Sequence, residues 1–207
     1  MKFKVCGMKH NAEEVAELQP DYIGFIFYDK SSRYIDGSIP ELNDDVKKVG
    51  VYVDASLEAI HNDVNTYGLE AVQLHGEEST EYCKLLKDTL PNTEIIKAFA
   101  IDDSFQFKQL VAYEKYCDYY LFDTKGKLPG GNGYAFDWTL LKNYKLTKPY
   151  FLSGGIGLSE VDKIKSFFKT DVAQYCYAID VNSRFEIEPG LKNIDDLKTF
   201  KSELYEL

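Results

Sequence analysis

Cysteine is scarce in this chain and never clustered. Four thiols (Cys6, Cys83, Cys117 and Cys176) are spread over 207 residues with no CxxC pair. That spacing argues against a zinc site or a disulfide framework and for a reducing cytoplasm. Positive charge is also in deficit: 24 Lys and Arg face 34 Asp and Glu, a formal net charge of −10. With no basic stripe, the chain does not read as a nucleic-acid binder. An anionic small ligand would be opposed by the field of the whole protein. It would have to be held by local donors: an arginine, helix N-termini or backbone N–H groups. No apolar run could span a bilayer, and the N-terminus lacks the charged-then-apolar design of a signal peptide. Linkers and low-complexity tracts are missing too, so residues 1–207 are expected to form a single domain.

What is present is a steady alternation of short strands and helices. Phe3 and Val5 alternate with Lys2, Lys4 and Cys6, giving a two-faced first strand that Gly7 breaks. Further strands are expected over Tyr22–Phe27, Lys48–Val53, Ala71–Leu74, Glu94–Phe99, Tyr119–Phe122, Tyr150–Leu152 and Val172–Ile179. Helices are expected over Asn11–Leu18, from Ile39–Pro40, over Ser56–Tyr67, Glu77–Leu86 and Asp103–Lys115, up to Tyr144, and over Ser159–Phe168 and Ile194–Leu204. Eight strand–helix units imply parallel strands with helical crossovers, and so an α/β fold: a (βα)8 TIM barrel near the small end of its size range. An open doubly wound sheet of six strands would leave two units unexplained.

In such a barrel the active site lies at the carboxyl ends of the strands. Cys6, His75, Asp123, Ser153–Gly155 and Asp180 all fall there, and Arg33 lies on the loop after strand two. Alone, Cys6 reads as a small buried hydrophobe and Asp123 as a turn cap. Together they place a base and an acid on opposite sides of one mouth, which a proton-shuttling isomerase requires. Lys4 shares the strand face of Cys6, where an ammonium would favour the thiolate. SGGIG after strand seven and DVNSR after strand eight stand where barrels commonly bind phosphate. Arg33 suits a second anionic group, whose carboxylate its fork matches. His75 either orients a substrate or caps its loop, and the other three cysteines read as packing.

The motifs KVCGMK, GFIFYDKSSRYI, KKVGVYVD, VQLHGEE, DTKGKLPGGNGYAFDW, FLSGGIG and AIDVNSRFEIEPGLKN occur in one order from Lys4 to about Asn193. The ordered set closely resembles the phosphoribosylanthranilate isomerase family of tryptophan biosynthesis. The resemblance implies an Amadori rearrangement of N-(5-phosphoribosyl)anthranilate to 1-(2-carboxyphenylamino)-1-deoxyribulose 5-phosphate, with neither metal nor organic cofactor. It implies Asp123 as general acid and Cys6 as general base. Arg33 would hold the anthranilate carboxylate, and backbone groups around Gly154–Gly155 and Asn182–Ser183 the phosphate. His75 and Asp180 complete the candidate substrate-binding set. Arg184 stands where the family usually has glycine. It would either crowd the phosphate loop, if φ must be positive there, or add a charge to the phosphate. The expected partner is a small phosphorylated substrate, with no nucleic acid or membrane, and the protein is expected to act as a cytoplasmic monomer or homodimer. Alternatives are a related phosphoribosyl aminoaldose isomerase, a non-catalytic barrel that senses a phosphorylated metabolite, and a thiol redox protein.

Overall fold

The computed structural model describes residues 1–43, 45–124 and 136–205. Eight parallel strands close in sequence order into a barrel: β1 (Lys2–Cys6), β2 (Tyr22–Ile26), β3 (Lys47–Tyr52), β4 (Ala71–Leu74), β5 (Glu94–Ile101), β6 (Tyr119–Thr124), β7 (Tyr150–Leu152) and β8 (Cys176–Val181). Most are near-continuous apolar runs because both faces are covered. One face fills the barrel with Cys6, Tyr22, Val49, Val51, Ile96, Leu121, Phe151 and Ala178. The other packs under the helices through residues such as Val5, Ile23, Val72, Ile95 and Ile179. Strand alternation therefore puts Lys4 beside Cys6 on the inner face, and β1 pairs with β8 so that Lys4 stands opposite Asp180.

The helices are α1 (Ala12–Glu17), α2 (Leu57–Tyr67), α3 (Thr80–Thr89), α4 (Val161–Phe167) and α5 (Ile194–Tyr205). The Ser56 hydroxyl accepts from Ala59 N–H at 3.2 Å to open α2, and left-handed Gly68 (φ 61°) closes it. Ser79 caps α3 in the same way, three residues later than the sequence pattern suggested. No helix among the described residues is long and apolar enough to cross a membrane.

The structure departs from the sequence reading at several connections. The helix expected from Ile39–Pro40 is absent from the described residues between β2 and β3. Gly37, Pro40 and Asn43 crowd that link, and proline both lacks an N–H and restricts the residue before it. The helix expected over Asp103–Lys115 contracts to a 3-10 turn, Phe107–Tyr113. Upstream of it, Asp102 accepts from both the N–H and the hydroxyl of Ser104, at 3.0 and 2.6 Å, in a competing local turn. The helix running to Tyr144 is likewise a 3-10 turn, Trp138–Asn143, and the helix expected over Ser159–Phe168 opens with another, Leu158–Glu160, before α4. Strand eight begins later than expected. Asp171–Tyr175 is a 3-10 turn, held off the sheet where Tyr150 Oη donates to Val172 O at 3.0 Å. A small antiparallel hairpin after β8, β9 (Glu186–Glu188) with β10 (Leu191–Lys192), had no sequence signal strong enough to anticipate it. The core of the glycine-dense segment after β6, residues 125–135, lies outside the described residues.

Candidate active site

The candidate catalytic and substrate-binding residues Cys6, Arg33, His75, Asp123, Gly154, Gly155, Asp180, Asn182, Ser183 and Arg184 line one pocket at the carboxyl end of the barrel, as does Ser153, whereas Lys4 lies outside its lining. Ile26, Tyr28, Val51, Val53 and Ile156 give it an apolar wall. The polar groups converge because strand ends carry them inward and short loops hold them there.

Cys6 is 4% exposed, and its thiol fills the space a side chain at Gly24 would need: a Cβ there would lie 2.8 Å from Sγ. Lys4 lies on the same face, fully buried, with Nζ donating to Asp180 Oδ1 at 2.7 Å; Asp180 Oδ2 accepts from Ser153 Oγ at 2.9 Å. Lys4 is thus an interior charge rather than a solvated rim lysine. Burial works against that charge, but Asp180 and Cys6 outweigh it and lift the Lys4 pKa. For Cys6, burial is the largest influence and pushes the thiol up. Lys4 and Lys192 pull the other way, Asp180 reinforces the rise, and the net shift is upward. The ammonium does favour the thiolate, as its position on the strand implied, but desolvation wins.

Asp123 is 7% exposed on β6. Its Oδ1 accepts from Thr124 N–H at 2.8 Å, and its Oδ2 lies 3.3 Å from His75 Nε2. On the far side of the ring, His75 Nδ1 is 2.8 Å from Gln73 Nε2. In this amide orientation Gln73 donates to Nδ1, which leaves the proton of a neutral ring on Nε2, the nitrogen nearer Asp123. His75 therefore stands beside the Asp123 carboxyl group in the pocket lining. Gly154 makes the neighbouring corner possible. It has φ 90°, and a Cβ there would meet Thr124 Oγ1 at 2.3 Å and Asp123 Oδ1 at 2.8 Å.

The pocket lining also carries cationic and backbone donors. Arg33 binds Glu186 with both Nε (2.8 and 3.0 Å) and Nη2 (2.6 Å). That carboxylate raises the Arg33 pKa against the effect of burial. Burial pushes Glu186 up, but its bonds to Arg33 and Lys192 outweigh that and hold it below the usual carboxylate value. Gly154, Gly155, Ser183 and Arg184 also line this pocket. Among the described residues the only non-glycines with positive φ are Gln19 and Asp54. Arg184 is therefore unstrained in its 3-10 turn, Ser183–Phe185, and the crowding reading fails. Its Cβ packs 3.0 Å from where a Gly157 Cβ would stand.

Sequence reasoning missed Gln73, Glu186 and Lys192. Gln73 lies in the VQLHGEE motif two residues before His75, and alternation from His75 could have placed it on the inner face. Glu186 and Lys192 gave no local signal: Glu186 acts through Arg33, 153 residues away, and Lys192 acts through Glu186. Among the described residues no group of three or more His, Cys, Asp or Glu side chains is arranged to hold a metal ion.

A parallel barrel whose mouth gathers a thiol, a carboxyl group and two arginines is an acid–base enzyme for a small anionic metabolite. A family model described as N-(5'phosphoribosyl)anthranilate (PRA) isomerase matches residues 3–203. The chain is 43% identical to the N-(5'-phosphoribosyl)anthranilate isomerase of Parabacteroides distasonis, with 97% of this chain and 91% of that protein aligned. The Phocaeicola vulgatus enzyme of the same name is 35% identical over 99% of this chain and 98% of its own. Among solved structures, the phosphoribosyl anthranilate isomerase of Thermus thermophilus superposes with a TM-score of 0.82 at 25% identity, covering 100% of this chain and 99% of that one. A phosphoribosyl anthranilate isomerase solved with reduced 1-(o-carboxyphenylamino)-1-deoxyribulose 5-phosphate superposes with a TM-score of 0.76 at 27% identity, each chain fully covered. The chain belongs to the N-(5'-phosphoribosyl)anthranilate isomerase family, aldose–ketose isomerases of tryptophan biosynthesis.

Proposed function

We propose that this chain performs the family's rearrangement as a single (βα)8 domain over residues 1–207, with Cys6 as base and Asp123 as acid. The substrate lies across the mouth. Its anthranilate carboxylate meets Arg33, and its phosphate meets the Gly154–Gly155 and Asn182–Ser183 backbone with Arg184 over it. Asp123, turned by His75, protonates the ribose ring oxygen, and the ring opens to a protonated Schiff base. Cys6 then takes the C2 proton, and the resulting enolamine tautomerises to the ketone. Asp180 holds Lys4 and Ser153 beneath this chemistry. Each acid or base step is worth ~10²–10⁴-fold in rate. The reaction requires neither metal nor organic cofactor. The enzyme acts in the cytoplasm, as a monomer or homodimer, on a phosphorylated small molecule, without nucleic acid or membrane.

The observation that carries this reading is a single pocket lined by Cys6, Asp123 and Arg33 together with both glycine-loop and β8-loop residues. The test is loss of anthranilate fluorescence from freshly generated phosphoribosylanthranilate. Rapid turnover by wild type, with losses of at least ~10²-fold in both Cys6→Ser and Asp123→Asn, supports it. No turnover by a folded wild type refutes the reaction. Undiminished activity in Cys6→Ser refutes the base and returns Cys6 to packing.

A further inference from the structure

Arg33 is carried by the loop after β2, yet its side chain is only 17% exposed because Glu186 grips one edge of the guanidinium. Glu186 begins β9, and the hairpin places Lys192 behind it. Lys192 Nζ donates to Glu186 Oε1 at 2.8 Å, to Asn182 Oδ1 at 2.7 Å and to Asn182 O at 3.2 Å. Gly190 N–H adds a bond to Glu186 Oε1 at 3.1 Å. The Lys192 side chain is fully buried and that of Glu186 is 5% exposed. Asn182 in turn closes against Gly7: a Cβ on that glycine would lie 2.5 Å from Asn182 Oδ1 and 2.8 Å from Arg33 Cδ. One buried ammonium therefore ties the arginine to the neighbouring β8 loop, both of which line the pocket.

We propose that Glu186 and Lys192 are positioning residues that build the two anion subsites on one hairpin. Glu186 fixes Arg33, and Lys192 locks Glu186 to Asn182. This rests on the roles given above to Arg33 and to the β8 loop. With Nε and one Nη2 hydrogen committed to Glu186, the outer Nη1–Nη2 edge is what an incoming carboxylate meets. A long flexible side chain is thereby ordered before the ligand arrives, which lowers the entropy lost on binding. Arg33 and Asn182 are also held at a fixed separation.

The test is a double-mutant cycle read as KM against kcat. Glu186→Gln raises KM about tenfold and leaves kcat within about twofold, the signature of lost ground-state positioning. In an Arg33→Ala background the same change adds less than about twofold, because its effect runs through the arginine. Competing probes separate the ends: Glu186→Gln weakens inhibition by anthranilate but not by inorganic phosphate, whereas Lys192→Met weakens both. If Glu186→Gln does not fold, the charge-balanced pair Glu186→Gln/Lys192→Met replaces it and weakens both probes. An unchanged KM in folded Glu186→Gln, additive effects in the cycle, or a fall in kcat at constant KM each overturns the proposal. Calorimetric binding of the two probes tests it even if wild type fails to turn over, so failure of the reaction and failure of this inference are distinguishable.

Discussion

Replacing Lys4 with methionine tests the electrostatics under Cys6. The substitution keeps the length of the side chain and removes its charge. It strands Asp180, which is 4% exposed and then keeps only Ser153 Oγ at 2.9 Å. Breaking a buried ion pair by deleting one partner costs about 3–5 kcal/mol. Proton uptake caps the loss, since neutralising an ordinary carboxyl group of pKa ~3.9 costs about 4 kcal/mol at pH 7 and about 1.5 kcal/mol at pH 5. Lys4→Met should therefore lower the unfolding free energy in urea by roughly 3–4 kcal/mol at pH 7, with an unchanged m-value. The loss should shrink to roughly 1–2 kcal/mol at pH 5. Adding Asp180→Asn removes the stranded charge and should restore at least about half of the loss at pH 7. The reasoning fails if Lys4→Met costs less than about 1 kcal/mol at pH 7, or if its cost does not fall with pH, or if the double variant is no more stable.

Two further outcomes follow from charge placement. Arg184→Ala should raise KM about three- to tenfold at low salt and less than about twofold at 0.5 M salt, because an exposed cation over a dianion is screened within a Debye length. An unchanged KM at moderate salt refutes the phosphate contact. Stability should fall as pH rises above about 9. Burial raises all four thiols, with Cys83 at about 11 and Cys117 at about 12. The unfolded chain then releases thiol protons first, so the stability present below pH ~9 is lost as pH climbs through the folded values. Urea midpoints that are flat from pH 8 to 11 contradict that burial.

The barrel was legible because its signal is local and repeated. A strand buried on both faces reads as an apolar run, and eight such runs alternating with helices leave few topologies open. The candidate site was legible for a related reason. A barrel turns sequence position into spatial position: Cys6, His75 and Asp123 stand at strand ends and so had to meet. The failures lie where neither rule operates. The β2–β3 link carries Pro40 and Gly37 and makes no helix among its described residues, although one was expected from Ile39–Pro40. The chemistry of Lys4 depended on burial, which alternation does not report. Its face was evident, but that desolvation would outweigh it at Cys6 was not. Glu186 and Lys192 were invisible because their meaning lies in Arg33 and Asn182, and only the fold brings Arg33 to them.

A net charge of −10 makes capture of a phosphorylated carboxylate depend on how the cations are distributed. Twenty-two of the twenty-four cationic side chains are lysines; the two arginines are Arg33 and Arg184, and both line the pocket. A lysine is a strongly hydrated point charge that serves an acidic surface well, as Lys2 does at Asp21. A guanidinium presents several donors in one plane and matches carboxylate or phosphate oxygens geometrically. The chain places both of its forks in the lining of one pocket. The lysines buried beside the pocket, Lys4 and Lys192, are each paired with a carboxylate. Taken as ionised, these two pairs cancel, and so do Arg33 and Glu186. Arg184 remains as a cation in the pocket lining with no carboxylate partner among the described residues, so it brings an arriving anion an uncompensated charge, whereas Arg33 brings the free edge of its fork.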